Sequence, residues 1–173
     1  MSKDTAITPS ASGARRALDL LSNAVIGIAA TALVGLVLVQ GWQVIARYVL
    51  NDSPSWTEPV TLVLLSTAMG LAAASGVHTN RHFGFFLLAE ALGPRSKRLV
   101  HAVSPSVVAV IGAVMAYWGW VLLLDGLDIR MAGAPIPQSL PYLPLSVGGL
   151  LMVVFALNRL VQALTESSAK GND

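Results

Sequence analysis

Arg47, Tyr48, Asn51, Asp52, Trp56 and Glu58 fall within one stretch, Gln43–Pro59 (QVIARYVLNDSPSWTEP), between two long apolar segments. Charged, amide and aromatic side chains in this mixture suit charge-assisted hydrogen bonds and aromatic anchoring. The chemistry is that of docking or anchoring. Arg47 and Glu58 end consecutive apolar segments, so they can pair with each other or anchor separately at head-group level. The histidines, His78, His82 and His101, have spacings that specify no metal site and read as interfacial side chains. There are no cysteines, which excludes disulfides, thiol catalysis and cysteine-held metals. No phosphate-binding glycine loop, zinc motif or Ser-His-Asp context is present. The chain reads as neither an enzyme nor a cofactor carrier.

The elements that must position this stretch are set by composition. Hydrophobic residues make up 54% and charged residues only 12%, where soluble domains carry about 25% charge. So little charge suits lipid rather than water as the solvent. The net charge of +2 gives no argument for nucleic acid. We expect an all-α integral membrane protein with four transmembrane helices plus a short interfacial amphipathic helix between the second and third.

The expected spans are 20–46, 59–80, 99–124 and 143–164, within a membrane domain covering 18–164. About 20 residues at ~1.5 Å each cross a hydrocarbon core of ~30 Å. Residues 1–17 read as a disordered tail, and Arg15-Arg16 before the first span as the start of an uncleaved signal anchor. Residues 165–173 form a second polar tail. On the first span Gly27, Thr31 and Gly35 share one face, where small residues permit close helix approach or are simply common in membranes. The second span, with Gly70, Ala72, Ala73, Ala74 and Gly76, is thin enough to be central. Its start has two readings. Ser55 and Glu58 have capping-box spacing, while Pro59 fits the first position of a helix. Ser104-Pro105 marks a kink or the true start of the third span. Arg159, near the end of the fourth, can snorkel to head groups.

Residues 82–93 (HFGFFLLAEALG) are apolar but too short to span, and Pro94-Arg95-Ser96-Lys97-Arg98 follows. A surface-lying helix beside anionic lipid is expected. Its apolar residues run nearly all round, which suits packing against protein as well.

Lys3, Arg15, Arg16, Arg81, Arg95, Lys97, Arg98, Arg159 and Lys170 all fall on the side of the two termini. Arg47 and Arg130 fall on the other, with Asp52, Glu58, Asp125 and Asp128 and every Trp and Tyr. The positive-inside rule then puts both termini in the cytoplasm. The middles of all four spans lack Asp, Glu, Lys, Arg and His. A carrier that moves ions through its own bundle keeps such groups there, and no paired helix breaks build a midplane site. The sequence suits a scaffold that needs partners.

Arg47-Tyr48-Val49-Leu50-Asn51 with Ser53, Trp56 and Glu58 resembles the pattern Arg-Tyr-x-Phe-Asn-x-Ser-x-x-Trp-x-Glu-Glu. That pattern marks the small membrane subunit (Q subunit, DctQ-like) of tripartite ATP-independent periplasmic (TRAP) transporters. Arg81-His82-Phe83-Gly84, Leu92-Gly93-Pro94-Arg95, Tyr142 and Val147-Gly148 extend the resemblance, as does the four-span layout. The chain departs from the pattern at Pro59, Phe86 and Ser146, so no role resting on paired carboxylates at 58 and 59 is implied.

The resemblance implies a multi-pass protein of the bacterial inner membrane and two protein partners besides lipid. These are a large multi-span membrane subunit and a periplasmic substrate-binding protein. It implies import of organic acids, C4-dicarboxylates or sialic acid, by symport with a sodium gradient. The sodium site is expected on the large subunit, with no cofactor on this chain. Arg47, Tyr48, Asn51, Trp56, Glu58, His82, Phe83 and Phe86 are the expected subunit contacts. The rivals are the small subunit of another multi-component carboxylate importer, a homodimeric exporter, and a small membrane enzyme or cytochrome subunit. The exporter lacks a buried membrane carboxylate, and haem ligation lacks histidines inside the spans.

Overall fold

The computed structural model describes residues 9–52, 54–79 and 94–169. Among the described residues the fold has four helices: α1 (Pro9–Tyr48), α2 (Thr57–His78), α3 (Pro94–Asp125) and α4 (Tyr142–Ala169). Each contains an apolar segment long enough to cross a membrane: Arg16–Tyr48, Thr57–His78, Val103–Asp125 and Tyr142–Gln162. In lipid every backbone N–H and C=O must be bonded within the segment, and the α-helix does this without a neighbour. The chain is therefore an all-α membrane protein with four spans.

The helices alternate in direction and pack as a row. α1 lies against α2, α2 against α4, and α4 against α3. α2 is thus central, as its small residues suggest. The start of α1 and the end of α4 lie at one end, here the terminal end, and the α1–α2 and α3–α4 connections lie at the loop end. On α1 the side chains turned inward are Ser22, Val25, Ala29, Ala32 and Ala46, with Leu36, Val39 and Gln43 half-buried between them. Their spacing of three and four is that of a helix–helix seam. Most of the remaining surface of α1 and α3 is exposed and apolar, as a lipid-facing wall must be.

Two adjacent glycines explain how α4 holds two neighbours. A Cβ on Gly148 would lie 2.6 Å from the Gly70 carbonyl oxygen of α2. A Cβ on Gly149 would lie 2.6 Å from the Ala116 nitrogen of α3. The bare backbone of α4 lets both helices approach to backbone contact, where dispersion accumulates in the absence of a hydrophobic drive between helices. Toward the terminal end the row is filled by Ala74, Val77, Met152, Phe155 and Ala156, and beside them by Val25, Ala29 and Leu71.

Several local expectations change. α1 begins at Pro9, so residues 9–17 are helical where composition pointed to a disordered tail. A nucleated helix extends cheaply into Ala- and Arg-containing sequence, and Pro suits its first position. α4 likewise continues to Ala169, past the expected end at 164. α3 begins at Pro94 and runs through Pro105, which is neither its start nor its end. Gly27 and Thr31 are exposed, and Thr31 Oγ1 donates to its own helix at Gly27 (2.9 Å). Only Gly35 of that face meets another helix, against Leu64. The expected interfacial helix at 82–93 lies outside the described residues.

Candidate functional site

The loop end is built from both connections. α1 closes at Tyr48 with Val49 N–H bonded to the Ile45 carbonyl (2.8 Å) and Asp52 N–H to the Ala46 carbonyl (3.1 Å). Between them Asn51 takes a left-handed conformation, φ 55°. Asn tolerates this region better than other residues with a Cβ, and it ends helices there. The chain reverses and meets Pro54, whose carbonyl accepts Thr57 Oγ1 at 2.8 Å. Thr57 and Pro59 are fully buried.

This geometry replaces both readings of the α2 start. Trp56 is the N-cap and makes no side-chain cap bond. Glu58 and Pro59 are the second and third helical residues, so the capping box does not form. Pro59 still sits in the first turn, where a missing N–H costs nothing. Glu58 lies at the positive end of the helix dipole. Ser55, freed from capping, donates from Oγ to the Gly133 carbonyl at 3.2 Å.

Gly133 belongs to the α3–α4 connection, which is ordered rather than loose. Met131 N–H bonds the Ile136 carbonyl (2.9 Å) and Gln138 N–H the Ile129 carbonyl (2.8 Å). Arg130 and Pro137 form an antiparallel bridge. Gly133 has φ 89°, a left-handed position open chiefly to glycine. Ser139 is buried beneath Gly126, and Ser66 of α2 donates to the Pro141 carbonyl. The two connections thus form one platform tied to α2.

Arg47, Tyr48, Asn51, Trp56 and Glu58 all project from this platform as exposed side chains. Tyr48 is 80% exposed. Among the described residues Arg47 and Glu58 do not pair, and the one ion pair lies at the other end. Trp42, Tyr117, Trp118 and Trp120 are exposed on α1 and α3 toward the same end, at the level of an aromatic belt. His82, Phe83 and Phe86 lie outside the described residues. In the chain they follow the opposite end of α2, so the expected contact residues divide into two groups.

The terminal end holds contacts not anticipated from the residue pattern. His78 Nε2 lies 2.8 Å from Asp19 Oδ1, and its ring tilts over Phe155 with centroids 5.0 Å apart. One turn inward, Ser22 and Ser75 hydroxyls share a buried bond of 3.0 Å. Arg159 Nη1 donates to the Val77 carbonyl at 3.0 Å, closing the end of α2. The available signal was register. Asp19 and Ser22 are three apart, as are Ser75 and His78, and antiparallel helices bring such pairs face to face. Arg159 had no comparable signal, because its partner is a backbone carbonyl.

The arrangement is that of a multi-pass membrane protein whose apolar row carries a polar, aromatic platform at one end. The chain matches the family model "Tripartite ATP-independent periplasmic transporters, DctQ component" over residues 36–166, well over half its length. It belongs to this family of transporter components. Comparison with individual curated proteins finds no match.

Proposed function

We propose that this chain is the stationary small subunit of a TRAP importer in the bacterial inner membrane. In this reading it widens the fixed part of a large, moving membrane subunit. It also offers its loop-end platform to a periplasmic binding protein that delivers an organic acid, a C4-dicarboxylate or sialic acid. The sodium gradient acts through the large subunit. Both termini are cytoplasmic, and Arg47, Tyr48, Asn51, Trp56 and Glu58 face the partners. His82, Phe83 and Phe86 make a second contact with the large subunit near the cytoplasmic surface.

The observation that carries the reading is the pairing of two opposites within a family of transporter components. The spans hold no ionisable group at mid-depth, yet the platform keeps Arg47 and Glu58 exposed and unpaired among the described residues. Membrane transport through a bundle uses intramembrane charge, whereas exposed aromatic and charged groups on ordered loops serve recognition.

The test is co-purification in detergent with the large membrane subunit of a TRAP transporter from the same organism. A stable complex at equal stoichiometry supports the reading. Two separate, individually folded proteins would sink it.

A further inference from the structure

The two helix pairs are level within themselves and stepped against each other. α1 and α2 keep one register along their seam, with Asp19 beside His78, Ser22 beside Ser75 and Gly35 beside Leu64. α3 and α4 do the same, with Gly112 against Gly149, Gly119 against Ser146 and Gly126 against Ser139. Between the pairs Ser66 meets Pro141, Gly70 meets Pro144 and Gly148, and Val77 lies with Phe155. The apolar segment of α2, Thr57–His78, has its middle between Thr67 and Ala68. That of α4, Tyr142–Gln162, has its middle at Met152, which packs with Ala74. The middle of α4 is thus displaced toward the terminal end by about seven residues, or ~10 Å at ~1.5 Å per residue.

With the helices upright in a bilayer, this step would misplace groups at both ends. Gly126 touches Ser139, two positions before the Pro141 partner of Ser66, so exposed Asp125 falls level with the second turn of α2. Gln138, also exposed, lines one groove with Leu62 and Leu65. The α3–α4 connection would then enter the hydrocarbon, where charge and irregular backbone are both costly. Trp118, next to Gly119, would stand level with Gly70 near mid-depth, although Trp favours the interface. At the terminal end Asp19 and His78 are level with Phe155. Exposed Leu157 and Val161 of α4 and Val103 of α3, which lie beyond that level, would stand in water. Both ends are corrected by the same movement, a rise of the α3–α4 edge toward the loop side.

We propose that the chain stands oblique in the lipid bilayer, tilted within the plane of its row with the α3–α4 edge raised toward the loop side. A ~10 Å step between pair centres two interhelix distances apart, at ~8–10 Å each, sets the tilt at roughly 25°. Membrane helices tilt by about 0–40°. The tilt levels the middles of the apolar segments and brings the α3–α4 connection to water beside the α1–α2 turn. It does not depend on the transporter reading.

The test uses the full chain in vesicles of phosphatidylethanolamine and phosphatidylglycerol. The chain has no cysteine, so Val44→Cys, Leu124→Cys, Leu20→Cys and Val107→Cys each take a single spin label. All four positions are exposed. Collision with oxygen and with a nickel chelate reports the depth of each label. The expected result is a loop-side pair, Val44 and Leu124, within ~3 Å of one depth, and a Val107 label ~12 Å deeper than Leu20. The reverse pattern, Leu124 ~14 Å deeper than Val44 with Leu20 and Val107 level, belongs to an upright bundle and would overturn the proposal. Polarised infrared dichroism of the parent chain measures the mean helix tilt without substitution. A value of roughly 25° is expected, and one below ~10° would also overturn the proposal.

Discussion

Ser55 Oγ and the Gly133 carbonyl oxygen, seventy-eight positions apart in the chain, meet in a 3.2 Å hydrogen bond across the loop end. This contact joins the α1–α2 turn to the tip of the α3–α4 connection. A Cβ at Gly133 would press into the Ser55 backbone, so the two segments touch through bare main chain. Arg47, Tyr48, Asn51, Trp56 and Glu58 are therefore carried on one joined unit and not on an independent loop.

Gly133→Ala introduces a Cβ both at φ 89° and against the Ser55 carbonyl. Strain of this kind costs about 1–3 kcal/mol. Expected results are a lower melting temperature in detergent and faster protease nicking between residues 126 and 141. Unchanged melting and nicking would show that the connections are not coupled.

Gly148→Ala places a methyl group against the Gly70 backbone, which has no side chain to move aside. Overpacking of this type costs about 1–3 kcal/mol. Gly27→Ala meets nothing within 4 Å and removes a helix penalty of up to about 1 kcal/mol. Denaturation of the purified chain is expected to rank Gly148→Ala below the parent and Gly27→Ala level with it or above it.

Asp19 and His78 tie the terminal ends of α1 and α2. Because Asp19 is largely exposed, the pair contributes little Coulomb energy. Its hydrogen bond is worth about 0.5–1.5 kcal/mol. Asp19→Asn and His78→Ala are each expected to destabilise by that order, and the double variant by less than their sum. Strict additivity in a double-mutant cycle would mean that the two residues act separately.

Glu58→Arg reverses the most prominent exposed charge beside Trp56. The loss of a favourable helix-dipole interaction is only about 0.3–1 kcal/mol, so the amount of protein in the membrane is expected to stay the same. Uptake is expected to drop severalfold, through weaker contact with a partner. Normal uptake would reduce the stretch to an anchor.

The spans and the central place of α2 were legible because lipid imposes one backbone solution and small residues mark close packing. The group Arg47 to Glu58 was legible as a cluster, since it interrupts hydrocarbon. Its local geometry was not. Ser55 with Glu58 matches the capping-box spacing, but Ser55 is drawn to Gly133, a partner distant in sequence. Arg47 and Glu58 also sit at helix ends that suit pairing, yet both are exposed and form no ion pair with each other among the described residues. The Asp19–His78 contact and the Arg159 bond to Val77 depend on helix register and a backbone acceptor. Neither is written in residue type. The extension of α1 back to Pro9 reflects propagation from the span, which local composition does not reveal.

Uptake into proteoliposomes under an inwardly directed sodium gradient tests the central claim most directly. The large subunit and the binding protein are supplied with and without this chain, and the chain is also tested alone. The account predicts no uptake by this chain alone, and sodium-dependent organic-acid uptake by the large subunit only when the chain is present. Full uptake by the large subunit and binding protein in its absence would contradict the account.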